Sequence, residues 1–262
     1  MVEEFLSRGW VRFGVDPGVK DWAGHARRAG RKALSDPQLM HWHVCQGTWF
    51  VGVDALGSDA VGRVAGSEPL SGPAFDFLKA HLGKVPPLDK GQISVVWPGY
   101  PRPREGEDDA AFGYRLRRDA AHLDGVKPVG PSRRRMVQEP HAFILGLPLS
   151  DVGPDAAPLV VWEGSHTIMR RALKQALFGH DPALWGQVDL TLAYGQARRE
   201  VFETCRRVVV HEPPGGAYLL HRLALHGVAP WEEKSGNAGP DGRMIAYFRP
   251  PMPGGVGRWL AP

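Results

Sequence analysis

His122 and Asp124 stand two residues apart in Leu-Arg-Arg-Asp-Ala-Ala-His-Leu-Asp-Gly (116–125). In an extended segment, side chains at i and i+2 leave the same face, so an imidazole and a carboxylate converge on one point. That is half of a metal site. A third donor is available in His226, far along the chain in Gly-Ala-Tyr-Leu-Leu-His-Arg-Leu-Ala-Leu-His-Gly (216–227). Two histidine nitrogens and one carboxylate oxygen on one face of a cation leave the opposite positions open, a donor set suited to Fe(II) and oxygen chemistry. Downstream, Arg243 opens the apolar run of residues 242–248, where a guanidinium could hold a carboxylate bidentately. Taken alone, the His-x-Asp pair reads equally as a strand-end histidine with an aspartate capping the turn before Gly125.

Four landmarks in order carry more than any one of them. The His-x-Asp pair, Pro-Leu-Val-Val-Trp-Glu-Gly-Ser-His (158–166), Leu-Leu-His-Arg-Leu-Ala-Leu-His-Gly and the Arg-headed strand resemble the phytanoyl-CoA dioxygenase family of Fe(II)/2-oxoglutarate oxygenases, over residues 112–250. The resemblance implies His122, Asp124 and His226 as metal ligands and Arg243 as partner of the C5 carboxylate of 2-oxoglutarate. It further implies O2 as co-substrate and a small-molecule substrate that is hydroxylated as succinate and CO2 are released. His226, not His221, sits in the family's His-Gly context. Asp124 stands where halogenase relatives carry a small residue, which favours oxygen transfer. Glu163 replaces the proline of the usual Pro-Gly-Ser-His turn, Val228 stands where relatives often have a hydroxyl residue, and the loop before Arg243 is longer than in many relatives.

For the pocket, Tyr114, Phe143, Trp162 and Tyr247 are the expected substrate-facing residues. Arg115 and Arg117 are also near, but they lack the strand parity of His122 unless a bulge intervenes. Two other readings remain open at this point. One is a degenerate jelly roll that binds an anionic ligand without turnover; the other is a cupin-like metalloprotein using the same ligands for hydrolysis or isomerisation.

The elements that must position these residues read as mainly β with flanking helices, a double-stranded β-helix (jelly roll, cupin-like). The expected organisation is one domain over 1–262, with helical and strand decoration in 1–90 and the core in 91–250. Helices are expected over 21–34, capped by Asp21, over 73–82, 167–178 and 194–205. Strands are expected in a hairpin around Gly47, over 93–97, 112–122 (carrying the metal pair), 141–150, 158–162, 208–210, 216–221, 225–228 and 244–248. Residues 125–138, with Arg133, Arg134 and Arg135, read as a loop, 180–205 as an insertion that caps the pocket, and the end of the chain as a Pro/Gly-rich tail.

Composition narrows the function classes. A hydrophobic share of 43% and a charged share of 23% are those of a globular protein. Cys45 and Cys205 are too few for a disulfide framework, and the first residues lack a basic lead into an apolar run, so the expected location is the cytoplasm. No stretch approaches the length of about 18 apolar residues needed to span a membrane. The net charge of +4 comes with scattered arginine clusters lacking the aromatic interleaving of a single-strand groove. Nucleic acid is therefore not an expected partner, whereas an acidic co-substrate is.

Overall fold

The computed structural model describes residues 1–235 and 239–261. Its helices are α1 (Val2–Arg8), α2 (Pro17–Leu34), α3 (Pro73–Leu82), α4 (Asp109–Arg117), α5 (Ser165–Leu177), α6 (Thr191–Thr204) and α7 (Gly255–Trp259). Its strands are β1 (Trp10–Phe13), β2 (His43–Val44), β3 (Trp49–Phe50), β4 (Gln92–Val96), β5 (Val126–Val129), β6 (Arg134–Val137), β7 (Phe143–Pro148), β8 (Leu159–Trp162), β9 (Arg207–Val210), β10 (Ala217–His221), β11 (His226–Val228) and β12 (Arg243–Phe248). A major antiparallel sheet runs β1-β10-β7-β12-β4-β3-β2, a minor one β11-β8-β9, and β5 and β6 form a separate hairpin. The chain is thus mainly β with flanking helices, the jelly-roll class expected from the sequence.

Alternation along the strands sorts the apolar residues into three layers. Ile144, Tyr218, Leu220 and Ile245 of the major sheet meet Leu159 and Val161 of the minor sheet between the two. On the outer face of the major sheet, Phe143, Leu145, Leu147, Met244 and Phe248 pack against α2 and α3. On the outer face of the minor sheet, Val160 and Trp162 pack against α5, α6 and Trp259 of α7. The tail is therefore not loose: Arg222 donates to the carbonyls of Trp259 (2.7 Å) and Ala261 (2.7 Å).

Several boundaries differ from the sequence reading, each for a local reason. The expected strand 112–122 is helix α4 up to Arg117. Asp108 caps it by accepting from the Ala111 N–H at 2.7 Å, and Ala, Leu and Arg in its body favour helix. The chain then turns through Asp119 and Ala120, both at positive φ, and only a single bridge at His122 joins it to β11. Helix α2 is capped by Asp16, not Asp21, because Pro17 occupies its first turn, a start signal that Pro17-Gly18 disguised as a turn. Residues 125–138 hold the β5–β6 hairpin, whose alternation the three arginines obscured. Helix α5 begins at Ser165, directly after Gly164 at φ 79°.

Candidate metal centre

His122 and His226 lie opposite one another in an antiparallel bridge: the His122 N–H donates to the His226 carbonyl at 2.8 Å and the reverse bond is 3.1 Å. This pairing brings two rings from distant sequence to 4.5 Å between centroids. Asp124, two residues on from His122, reaches both: its Oδ1 lies 3.3 Å from His122 Nε2 and its Oδ2 3.8 Å from His226 Nε2. One donor atom from each residue falls within 4.8 Å of the others. Both rings are oriented alike. His122 Nδ1 donates to the Ala120 carbonyl at 3.0 Å and His226 Nδ1 to the Ala224 carbonyl at 3.0 Å, bonds that turn both Nε2 atoms toward Asp124.

Electrostatics favour a carboxylate and a neutral imidazole here. Burial works against the charge on Asp124, but Arg249 and the two histidines hold its carboxyl well below the usual range. Burial first, and then the neighbouring His122, push His226 down to about 4. His122 moves the other way: burial lowers it, and its bond to Asp124 outweighs that.

The supports come from four elements. β11 must run close to the α4–β5 turn, and a Cβ on Gly227 would lie 2.1 Å from the Asp119 carbonyl, so the glycine after His226 is a steric requirement. Asp119 is itself held by Arg207, bonds of 2.7 and 2.8 Å, and its carbonyl accepts from Val228. Ser165, at the start of α5, accepts from the Leu225 N–H at 2.9 Å, immediately before His226. From α6, the Tyr194 hydroxyl accepts from Leu123 N–H (3.2 Å) and Arg198 donates to the Ala121 carbonyl (3.1 Å), bracketing the His122 segment. The segment read as an insertion therefore both walls the pocket and backs the His122 segment.

The three donors open into a cavity of about 560 Å³ whose walls include Tyr100, Tyr114, Ile144, Leu159 and Tyr247. Tyr114 and Tyr247 line it, and so does Arg115, paired with Glu107. Phe143 and Trp162 do not. Phe143 neighbours the inward Ile144 and so points to the helix-covered side, while Trp162 alternates with Val161 and meets Phe202 edge-to-face at 5.3 Å. Arg117 is exposed on α4.

Arg243, Ile245 and Tyr247 share the inner face of β12. Arg243 is buried, one guanidinium nitrogen (Nη1) has no partner, and it lines a recess with Ser150, His211, Glu212 and Tyr218, next to the cavity. The Tyr218 hydroxyl donates to Tyr247 at 2.9 Å, joining recess to cavity. Just past the strand, Arg249 donates to Asp124 (3.1 Å) and to Gln92 (2.7 Å). Sequence reasoning missed it; its even spacing from Arg243 and Tyr247 was the available signal.

No protein-family model matches the sequence, and no match was found among curated proteins. Solved structures do resemble it. The epimerase SnoN from nogalamycin biosynthesis, solved in complex with Fe3+, α-ketoglutarate and nogalamycin RO, aligns with a TM-score of 0.51 at 16% identity, covering 98% of this chain and 86% of that one. The carbocyclase SnoK, described as non-heme and α-ketoglutarate dependent, aligns at 0.49 and 14% identity, covering 100% and 90%. EctD from S. alaskensis, solved with bound Fe, aligns at 0.45 and 17%, covering 94% and 73%. At such identities the likeness to SnoN shows the fold alone: the chain shares the architecture on which SnoN is built.

Proposed function

We propose that this protein is a non-haem Fe(II)- and 2-oxoglutarate-dependent dioxygenase of the phytanoyl-CoA dioxygenase type that hydroxylates a small molecule, with release of succinate and CO2. The observation that carries the reading is the donor set itself: two imidazoles with Nδ1 occupied by backbone and Nε2 turned to one point, and one low-pKa carboxylate, at the wall of a cavity. These residues fit Fe(II), which takes nitrogen and oxygen donors and leaves positions open for further ligands. Support also comes from SnoN, which holds Fe3+ and α-ketoglutarate on the same fold.

In this reading His122, Asp124 and His226 hold the iron, whose bound form supplies oxygen activation coupled to 2-oxoglutarate decarboxylation. The chain does the rest. Arg243 offers a buried, unpartnered guanidinium nitrogen on the inner strand face, suited to the distal carboxylate of the co-substrate. Arg249 keeps Asp124 ionised and aimed. Tyr114 and Tyr247 shape the space for the small-molecule substrate.

The test is succinate formation from 2-oxoglutarate by the iron-loaded protein in air, without added substrate. Slow, iron-dependent succinate release that disappears in Asp124→Ala is expected. Release that persists in that variant, or no release by an iron-loaded wild type that still binds 2-oxoglutarate, would contradict the proposal.

A further inference from the structure

Seven arginines or lysines and three carboxylates line the cavity that holds the metal donors. The three carboxylates are already taken: Glu107 by Arg115, Glu139 by Lys127 and Asp124 by Arg249. Among the described residues, Arg104, Arg133, Arg135 and Arg198 have no carboxylate within ion-pair distance. Iron and 2-oxoglutarate would not change this balance, since a divalent cation and a dianion cancel.

The surplus is most pointed on the α6 wall. Arg198 is half-buried among the rings of Tyr114 (4.8 Å), Tyr194 (5.2 Å) and Phe202 (5.8 Å). It makes one bond, to the Ala121 carbonyl, and its Nε is buried without a partner. Burial, with no compensating acid, pushes it down to about 10. Arg135, from the β5–β6 hairpin, lays its guanidinium on the same Tyr194 ring at 5.4 Å. Beside them the Tyr114 hydroxyl is also buried and unpartnered. Two like charges sharing one ring, with orphaned donors around them, cost free energy unless an anion completes the group.

We propose that the α6 wall is an oxyanion-binding subsite in which Arg198, Arg135 and the Tyr114 hydroxyl hold a carboxylate, sulfonate or phosphate of the primary substrate. The word substrate rests on the oxygenase reading; the anion subsite does not. Arg198 links the two, because the guanidinium that would hold the anion also clamps the residue before His122. Anion binding is thereby coupled to the position of a metal ligand.

Sulfate serves as the probe. The full-length protein, loaded with Fe(II) and 2-oxoglutarate under nitrogen, is melted in millimolar sulfate against chloride at equal ionic strength, while 2-oxoglutarate affinity is read separately from the visible band of the chelate. Sulfate should raise the Tm of the wild type, and both Arg135→Met and Arg198→Met should weaken its apparent affinity about tenfold or more, with Arg198→Lys retaining part. Arg135 makes no bond to the ligand loop, so its variant stays informative if Arg198→Met folds poorly. Absence of a sulfate effect in the wild type, or an equal effect in Arg135→Met, would overturn the proposal. So would competition between sulfate and 2-oxoglutarate, which would assign these arginines to the co-substrate. If the chelate band never forms but the sulfate effect depends on both arginines, the subsite stands and the oxygenase reading falls.

Discussion

Two pairs of histidines in this protein are each assembled from distant sequence into near contact, and they have opposite characters. His122 and His226 meet at 4.5 Å with a 55° tilt, His166 and His221 at 4.7 Å with a 46° tilt. The first pair has Asp124 between its Nε2 atoms, has both Nδ1 atoms spent on backbone carbonyls, and opens into the cavity. The second has no carboxylate and faces Phe5 of α1. His166 Nε2 donates to the Leu6 carbonyl and so fastens the N-terminal helix to α5, while His221 Nδ1 accepts from Leu223 N–H and holds the turn that follows β10. Burial pushes His166 down and, with Arg222 adding to it, His221 well down, keeping both neutral. Proximity of two imidazoles therefore does not define a metal site. A carboxylate, Nε2 atoms turned to one point and access set the first pair apart.

The comparison can be broken most severely at the carboxylate. Asp124→Ala should weaken iron binding by more than the about 10–100-fold that loss of a supporting partner costs, whereas His221→Gln should bind iron as the wild type does in a chelator-competition titration. Iron loss in His221→Gln equal to that in Asp124→Ala would erase the distinction. Next, Gly227→Ala must push the α4–β5 turn away from β11. A destabilisation of about 1–3 kcal/mol in urea unfolding is expected, with weakened iron binding, because the clash is with backbone. Ser165 touches both regions, since its hydroxyl holds Leu225 before His226 and its neighbour is His166. Ser165→Ala should cost about 1–3 kcal/mol by leaving a buried N–H unpaired.

The smallest effect is expected from pH. His166 and His221 have folded pKa values below the ordinary histidine value, so the folded state binds fewer protons than the unfolded state as pH falls below that value. Their contribution is fully present above about pH 6.5 and is lost progressively below it. Urea midpoints of the metal-free protein should drop from pH 7.5 to 5.5, and less steeply in His221→Gln. An unchanged slope in that variant would show that the pair does not titrate with unfolding.

Much of this was legible in the sequence where a local rule and a long-range order coincided. The i, i+2 spacing of His122 and Asp124 survives because the segment is extended at that point, although the strand expected to carry it is helix up to Arg117. The choice of His226 rested on its following glycine, and the structure supplies the steric reason in the Asp119 carbonyl. Parity was the weak link. Phe143 and Trp162 are large and adjacent to inward residues, but a one-residue offset turns each onto the helix-covered face, and sequence alone does not say which face of a fully apolar strand is the inner one. Arg249 escaped notice, and Arg198 reads in the sequence only as one of the scattered basic residues, because each becomes meaningful only through partners brought by folding, Asp124 in one case and a trio of aromatic rings in the other.

The most direct test of the central claim is an anaerobic titration of the purified protein with Fe(II) and then 2-oxoglutarate, watching for the weak visible charge-transfer band of the chelate. The account predicts a saturable band at one iron per chain that is absent in Asp124→Ala and needs more 2-oxoglutarate in Arg243→Ala. Stoichiometric iron binding with no band at saturating 2-oxoglutarate would contradict it.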